Sequence, residues 1–263
     1  MNDFVLDDVI LGPKVSDVKE PDLQMFVRVT AAEPLRALGV ELTGSSTNAI
    51  FVEDQKKGFG RVVIHAQGEN NIFFFGGKNR QNNGHVIIRI VGSNVKVIMP
   101  DFSFPFNFHD IFLRSSRQTL FVGKHVTSVG TRIEMEGAGR QIVIGDDCMF
   151  SSDVNIRNYD MHTVFNIDDG SIVNSVPHNV LIQKHVWLGY RSVISGAELV
   201  ETGSVVGACS FVNRNVPAFS AVGGVAAKVI KTRVSWSRDV NEVDEKERER
   251  ARALLASSVP GEP

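Results

Sequence analysis

The chain has 263 residues, with 28 Lys and Arg against 30 Asp and Glu and a net charge of −2. That balance argues against a nucleic-acid-binding protein, and the length suffices for a sizeable core. Cys148 and Cys209 are the only cysteines. They build neither a CxxC pair nor a disulfide framework, so a reducing compartment is expected. The N-terminus, MNDFVLDDVILG, lacks the basic start of a secretory signal, and no uncharged apolar run approaches the ~18 residues of a membrane span. A cytoplasmic protein without a membrane span is the expectation.

Residues 1–47 carry mixed charge and no repeat, and read as an N-terminal cap segment. Residues 48–231 read as one β-solenoid domain. Its first part, to Val143, holds the β-rich runs RVVIHA, NIFFFG, HVIIRI, NVKVIM, TLFVG and TRIEMEG, at spacings of nine to fourteen residues. Turn residues separate them at Gly68–Asn71, Gly76–Gly77 and Gly92–Asn94. Irregular early coils of a solenoid fit this spacing, and so does a separate β-sandwich. Phe102, Phe104, Phe106 and Phe108 alternate as one apolar face, expected in the core or at a subunit contact.

From Ile144 the pattern is regular. Ile144, Phe150 and Ile156 are six apart. After an interruption at 157–181, Ile182, Leu188, Ile194, Val200, Val206 and Val212 continue the step. Four positions after each of those six stand Val186, Ser192, Glu198, Ser204, Ser210 and Val216; all but Glu198 are small or β-branched. A period of six is neither helix nor flat strand. It is the period of a hexapeptide β-helix, in which three hexads close a triangular coil. Ile182 should therefore stack on Val200, and Leu188 on Val206. The interruption, RNYDMHTVFNIDDGSIVNSVPHNVL, is polar and reads as an excursion loop, a place where chemistry is often sited. Residues 232–263 form a charged helical tail, read as solvated or packed on a neighbouring subunit. Solenoid ends need covering, and both flanking segments are available for it.

The block from Val180 to Lys231, VLIQKHVWLGYRSVISGAELVETGSVVGACSFVNRNVPAFSAVGGVAAKVIK, resembles the hexapeptide-repeat acyltransferases. IVIGDDCMFSSDVNIRNYDMH, with the later VWLG and KTRVSW, is similar more narrowly to the capsule, polysialic-acid and lipopolysaccharide O-acetyltransferases. The resemblance runs from about Gln141 to Trp236. It implies an all-β, left-handed parallel β-helix, usually a homotrimer, with active sites between adjacent chains and acetyl-CoA as co-substrate. It departs at Gly224–Val225–Ala226–Ala227, where the family carries a proline, and at Glu198.

The resemblance places the catalytic histidine at His162. A thioester is already an activated donor, so the chemistry needs only a base for the acceptor hydroxyl, and an imidazole suits neutral pH. Asp160, two residues earlier, could orient that ring, as could a carbonyl, Asp168 or Asp169. Trp187 follows an inward valine and should face outward, against a ligand or a neighbouring chain. Tyr190, Ala208, Asn213 and Arg214 match family positions along the pantetheine arm, and Lys228 and Lys231 match those that meet the CoA phosphates, with Arg233 nearby. The other histidines lack ligand spacing, and no metal is expected. The reading is an acetyl-CoA-dependent O-acetyltransferase of a bacterial surface glycan or its precursor. The alternatives are an N-acetyltransferase of an amino-sugar nucleotide, which acceptor screening separates, and a non-catalytic β-helix, which CoA binding separates.

Overall fold

The computed structural model describes residues 26–30, 32–53, 59–76, 84–101, 106–160, 162–174, 176–239 and 242–258. The first elements are β1 (Val27–Val29), α1 (Ala32–Ala37), β2 (Val40–Gly44) and β3 (Ala49–Val52). Then come β4 (Arg61–Ala66), β5 (Ile72–Phe75), β6 (His85–Ile90), β7 (Lys96–Met99), β8 (Phe106–Leu113), β9 (Thr119–Val122), β10 (Thr127–Met135) and β11 (Gln141–Ile144). The regular hexads give β12 (Met149–Phe150), β13 (Val154–Arg157), β14 (Val180–Ile182), β15 (Trp187–Leu188), β16 (Val193–Ser195), β17 (Leu199–Val200), β18 (Val205–Val206) and β19 (Phe211–Val212). The chain closes with β20 (Ser220–Gly223), β21 (Lys228–Thr232) and α2 (Glu245–Ser258).

Neighbouring coils pair in parallel. One sheet runs β1-β3-β5-β7-β9-β11-β14-β17, and the other runs from β2 through the even strands to β10, then β12-β15-β18-β20-β21. A third ladder, β10-β13-β16-β19, splits off the second sheet at β10. The molecule is a parallel β-helix. The runs before Val143 are coils of the same solenoid, because β3, β5, β7, β9 and β11 continue into β14 without a break. A separate antiparallel sandwich is excluded.

Coil length changes along the chain. Between Val62 and Val86 a coil takes 24 residues, and between Leu188 and Val206 it takes 18. In β10 the strand rounds a corner without stopping. Thr127 and Ser128 pair with β12, whereas Thr131–Glu134 pair with β13. The ladder with β8 is irregular across that bend. From β12 onward each wall is a separate short strand, so three hexads close a coil.

The expected stack is present. Ile182 pairs with Val200, Leu188 with Val206 and Ile194 with Val212. All six of these residues are buried in one continuous core. Each contributes roughly 1.5–3 kcal/mol of transfer free energy on burial. Glu198 breaks the pattern because the chain has turned one residue early: Gly196 takes φ +91°, Ala197 fills the inward position, and Glu198 faces solvent. Phe108 is buried as expected, while Phe102 and Phe104 lie outside the described residues.

Corners turn through left-handed residues, among them Asp147, His185, Arg191 and Cys209. Asp and His tolerate this conformation better than most side chains. At the first coil, β1 pairs antiparallel with β3, and Leu35 and Leu38 are buried at α1. Residues 1–25 of the expected cap lie outside the described residues. At the other end β21 pairs antiparallel with β20 and is exposed along its length.

Candidate active site

The excursion leaves the corner after β13 and returns at β14. Its neck is tied by Asn158, whose Nδ2 donates to the carbonyls of Glu136 (3.0 Å) and His178 (2.8 Å). Beyond the neck the chain forms a hairpin, with Phe165 bridging Ile172 and Val173 N–H donating to the Val164 carbonyl. Asp168 and Asp169 belong to the hairpin's turn. Asp168 N–H donates to Asn166, and Asp169 accepts from Ser171 N–H. Among the described residues neither carboxylate is hydrogen-bonded to the His162 ring.

His162 is exposed at the base of this hairpin. Asn174 holds its backbone: Nδ2 donates to the His162 carbonyl at 2.8 Å and to Asp160 Oδ2 at 3.1 Å, while Oδ1 accepts from Val164 N–H. Asp160 thus reaches the His162 main chain through Asn174. The sequence reading missed Asn174, whose only signal was an amide side chain inside a polar excursion.

Trp187 faces outward, as its place in the hexad requires, and is 36% exposed. Its wall carries an outward row in register: Met149, Trp187, Val205, Ala221 and Lys231. Lys228 lies opposite Gly223, beside that row. Lys228 and Lys231 are an odd number of residues apart and would face opposite sides of a regular strand. A bulge between the Val222 and Ala221 pairings brings both to the outward face. Next to the row stand Gly189, Gly207 and Gly223. Gly189 is demanded by the coil itself, since a Cβ there would meet backbone at 2.7 Å. Gly207 is less constrained, since a Cβ there would lie 3.3 Å from the Val222 carbonyl oxygen, close but not overlapping. Its smallness keeps the outer surface low.

The remaining expected cofactor residues fall at two corners. Tyr190 and Ala208 are exposed at the corner after β15 and β18, where the Tyr190 carbonyl accepts from Cys209 N–H. Arg191 lies 4.9 Å over the Tyr190 ring. Asn213 and Arg214 are exposed at the next corner, after β19. Within one chain, Trp187, Lys228, Lys231, Tyr190 and Ala208 share one wall and its edge. His162, Asn213 and Arg214 belong to the following corner.

The tail is not a solvated helix alone. Residues 233–238 form a strap down one corner of the solenoid. Val234 N–H donates to Phe219 O, Trp236 Nε1 to His185 O at 2.8 Å, and Arg238 to the carbonyls of His125 and Cys148. The buried His185 ring stacks on Trp236 at 4.3 Å, and Trp236 lies 6.4 Å from Trp187. Asp147 is the hub, 2.7 Å from His185 Nδ1, 2.6 Å from Arg250 of α2 and 3.3 Å from Arg238. The sequence held a signal for the first pair: Met149 stacks on Trp187, so Asp147 and His185 share a corner column.

Burial raises the Asp147 pKa, but the His185 hydrogen bond and the Arg250, His185 and Arg238 charges together hold it below the ordinary value of 3.8. A carboxylate whose folded pKa is depressed stabilises the fold above its unfolded pKa, near ~3.9, and loses that contribution as pH falls through the folded value. Thermal melts of wild type and Asp147→Asn from pH 7 downward should show the variant less stable at neutral pH. The gap should close below about pH 3.9. A gap that is constant with pH would remove the electrostatic account. The Cys148 thiol, buried in the core, is pushed up to about 12 by that burial and is no nucleophile. Among the described residues no group of three or more His, Cys, Asp or Glu could hold a metal. No described helix is long and apolar enough to cross a membrane.

These features define a parallel β-helix with an outward indole, a low glycine-edged surface and a paired-lysine terminus on one wall. Comparison with solved structures gives the same architecture. The crystal structure of a polysialic acid O-acetyltransferase superposes with a TM-score of 0.61 at 23% identity, covering 82% of this chain and 94% of that one. The fold is that of the left-handed β-helix acetyltransferases. In sequence, the chain is similar to the polysialic acid O-acetyltransferase of Escherichia coli O1:K1, at 29% identity over 112 residues, covering 43% of this chain and 36% of the relative. It is similar also to that of Neisseria meningitidis, at 30% over 130 residues, covering 48% and 56%. The match thus spans between a third and little more than half of these relatives' length. No family model matches.

Proposed function

We propose that this protein transfers the acetyl group of acetyl-CoA to a sugar hydroxyl of a bacterial surface glycan or its precursor. The supporting relatives carry that activity in their names. The observation that carries the reading is the outward row from Trp187 to Lys231. Three inter-strand steps of ~4.8 Å span roughly 14 Å. An extended pantetheine arm reaches roughly 15 Å, at the ~1.2 Å per bond of an extended chain. With the CoA phosphates at Lys228 and Lys231, the thioester comes to Trp187, and the low surface at Gly207 and Ala208 accommodates the arm. Tyr190 borders that path, and Asn213 and Arg214 approach it from the corner of a neighbouring chain.

In this reading His162 takes the proton of the acceptor hydroxyl as its oxygen attacks the thioester carbonyl. The tetrahedral intermediate collapses with loss of the CoA thiolate, which recovers the proton from the imidazolium. Asn174 fixes the His162 backbone, and Asp160 holds Asn174. The test is acetyl transfer from acetyl-CoA to a panel of hydroxyl and amino sugars, read as the mass gain of one acetyl group. Transfer to the amino sugars alone would replace this reading with N-acetylation.

His162 and Trp187 belong to different faces of one chain, so the complete site requires a neighbouring copy. The excursion hairpin supports this: Phe165 is 60% and Ile167 91% exposed, and Val225 and Ile230 beside the lysine pair are also bare. Apolar surface of this kind is normally covered. Light scattering is expected to show a trimer, and Ile167→Asp combined with Phe165→Asp to dissociate it with loss of activity. A fully active monomer would defeat the shared-site arrangement.

A further inference from the structure

Trp187 stands outward on β15, a strand of only two residues, and is 36% exposed. An indole on an open wall moves between rotamers unless a second group packs on it. That group is Trp236 of the strap, which is only 6% exposed. The two ring centroids lie 6.4 Å apart with their planes tilted by 51°, within the range of a favourable aromatic pair. We propose that Trp236 is a positioning residue for acyl transfer: it fixes the orientation of the Trp187 indole, beside which the thioester arrives. The inference rests on the transferase reading above and adds the C-terminal strap to its site.

Trp236 can act in this way because it is itself held on several sides. Its ring lies parallel to the His185 imidazole, at 4.3 Å with 8° between the planes. Its Nε1 donates to the His185 carbonyl at 2.8 Å, and its own carbonyl lies 3.2 Å from His185 Nε2. His185 Nδ1 lies in turn 2.7 Å from Asp147 Oδ2, and the Arg238 guanidinium lies 5.4 Å from the Trp236 centroid. His185 is 4% exposed, so this anchor belongs to the packed corner and not to the surface. The neighbours of Trp187 in its own row, Met149 and Val205, supply no such support. One is a flexible thioether and the other a short side chain.

The contact falls at one end of the row. Trp236 meets Trp187 from the corner before β15, whereas Lys228 and Lys231 stand on β21 at the other end. A change at Trp236 therefore reaches the thioester end and leaves the phosphate contacts in place. Its effect belongs to turnover and not to donor binding.

Trp187 and Trp236 are the only tryptophans, so each indole can be followed by itself. The proteins are wild type, Trp236→Leu, Trp236→Phe, Trp187→Ala, Trp187→Ala combined with Trp236→Leu, and Arg238→Gln. All are assayed well below their melting temperatures with acetyl-CoA and the best acceptor of the sugar panel. Trp236→Leu should lower kcat about tenfold, the rate equivalent of one aromatic pair, and leave the acetyl-CoA KM within about threefold. Its remaining indole, Trp187, should show fast local decay of fluorescence anisotropy. Trp236→Phe keeps a ring against His185 and Trp187 but loses the Nε1 donor. It should recover most of kcat and the slow decay. Added to Trp187→Ala, Trp236→Leu should cost no more than about twofold further, because it acts through an indole already lost. Arg238→Gln loosens the strap while both indoles stay, and it serves as the test if Trp236→Leu does not fold. The coupled circular-dichroism bands of the indole pair and kcat should fall together in it. A Trp236→Phe protein as slow as Trp236→Leu, additive losses in the double variant, a raised acetyl-CoA KM at unchanged kcat, or lost coupling with wild-type kcat would each overturn the proposal. So would a slow Trp187→Ala beside a Trp236→Leu of wild-type kcat. Trp187→Ala with wild-type kcat would instead remove Trp187 from the site, and with it the reading on which the proposal rests.

Discussion

Replacement of His162 by Ala is expected to lower turnover by about 10²- to 10⁴-fold, the usual worth of a general base. The fold should not register the change. His162 is exposed on the excursion, outside the stacked core, and its anchor to Asn174 uses its backbone carbonyl, which alanine retains. Melting temperature and oligomeric state should therefore match wild type, and the acetyl-CoA KM should move little. His162→Gln keeps a polar side chain but no base and should be nearly as inactive. Asn174→Ala should fall between, since it frees the His162 main chain while leaving the imidazole. Asn174→Asp should not recover that loss: it keeps an acceptor for Val164 N–H but puts an oxygen where Nδ2 donated to the His162 carbonyl and a second carboxylate beside Asp160. If His162→Ala keeps activity within about threefold of wild type with a competent acceptor, His162 is not the base.

The regular coils were legible because their side chains obey one rule. An inward aliphatic residue every six positions leaves no other way to bury Ile182 to Val212, and the register Ile182–Val200 followed from counting. The earlier coils obscured the count for a physical reason. β10 rounds its corner through a bulge and continues, so its residues serve two walls and the six-residue step disappears. Outward orientation was equally readable at Trp187. Contacts across coils with no repeat in them were not readable. Nothing in Trp236 or Arg238 alone says that the tail returns along a corner to meet Asp147, although the Asp147–His185 column could have been counted. The bulge that aligns Lys228 with Lys231 was hidden too, because from sequence spacing alone the two lysines fall on opposite faces of a strand.

That alignment gives Lys228→Ala with Lys231→Ala its expected result. Both ammonium groups stand on the outward face at the end of the Trp187 row, exposed and without a carboxylate partner among the described residues. Charge-assisted hydrogen bonds to phosphate are worth roughly 1.5–3 kcal/mol each, less where solvated. A discounted pair still predicts at least a roughly tenfold rise in the acetyl-CoA KM. Turnover at saturating donor should change far less, because the phosphates keep their charge and position throughout acyl transfer, and such contacts stabilise ground and transition states alike. An acetyl-pantetheine donor carries the arm and thioester without the nucleotide phosphates. Its KM should be higher than that of acetyl-CoA for wild type and nearly the same for wild type and variant. Deletion of Ile230 removes the bulge but leaves the two lysines two residues apart, on one face of a regular strand, so the acetyl-CoA KM should stay close to that of wild type. An equal loss with both donors would mean that β21 no longer caps β20, and that the lysines act through the fold rather than on the cofactor.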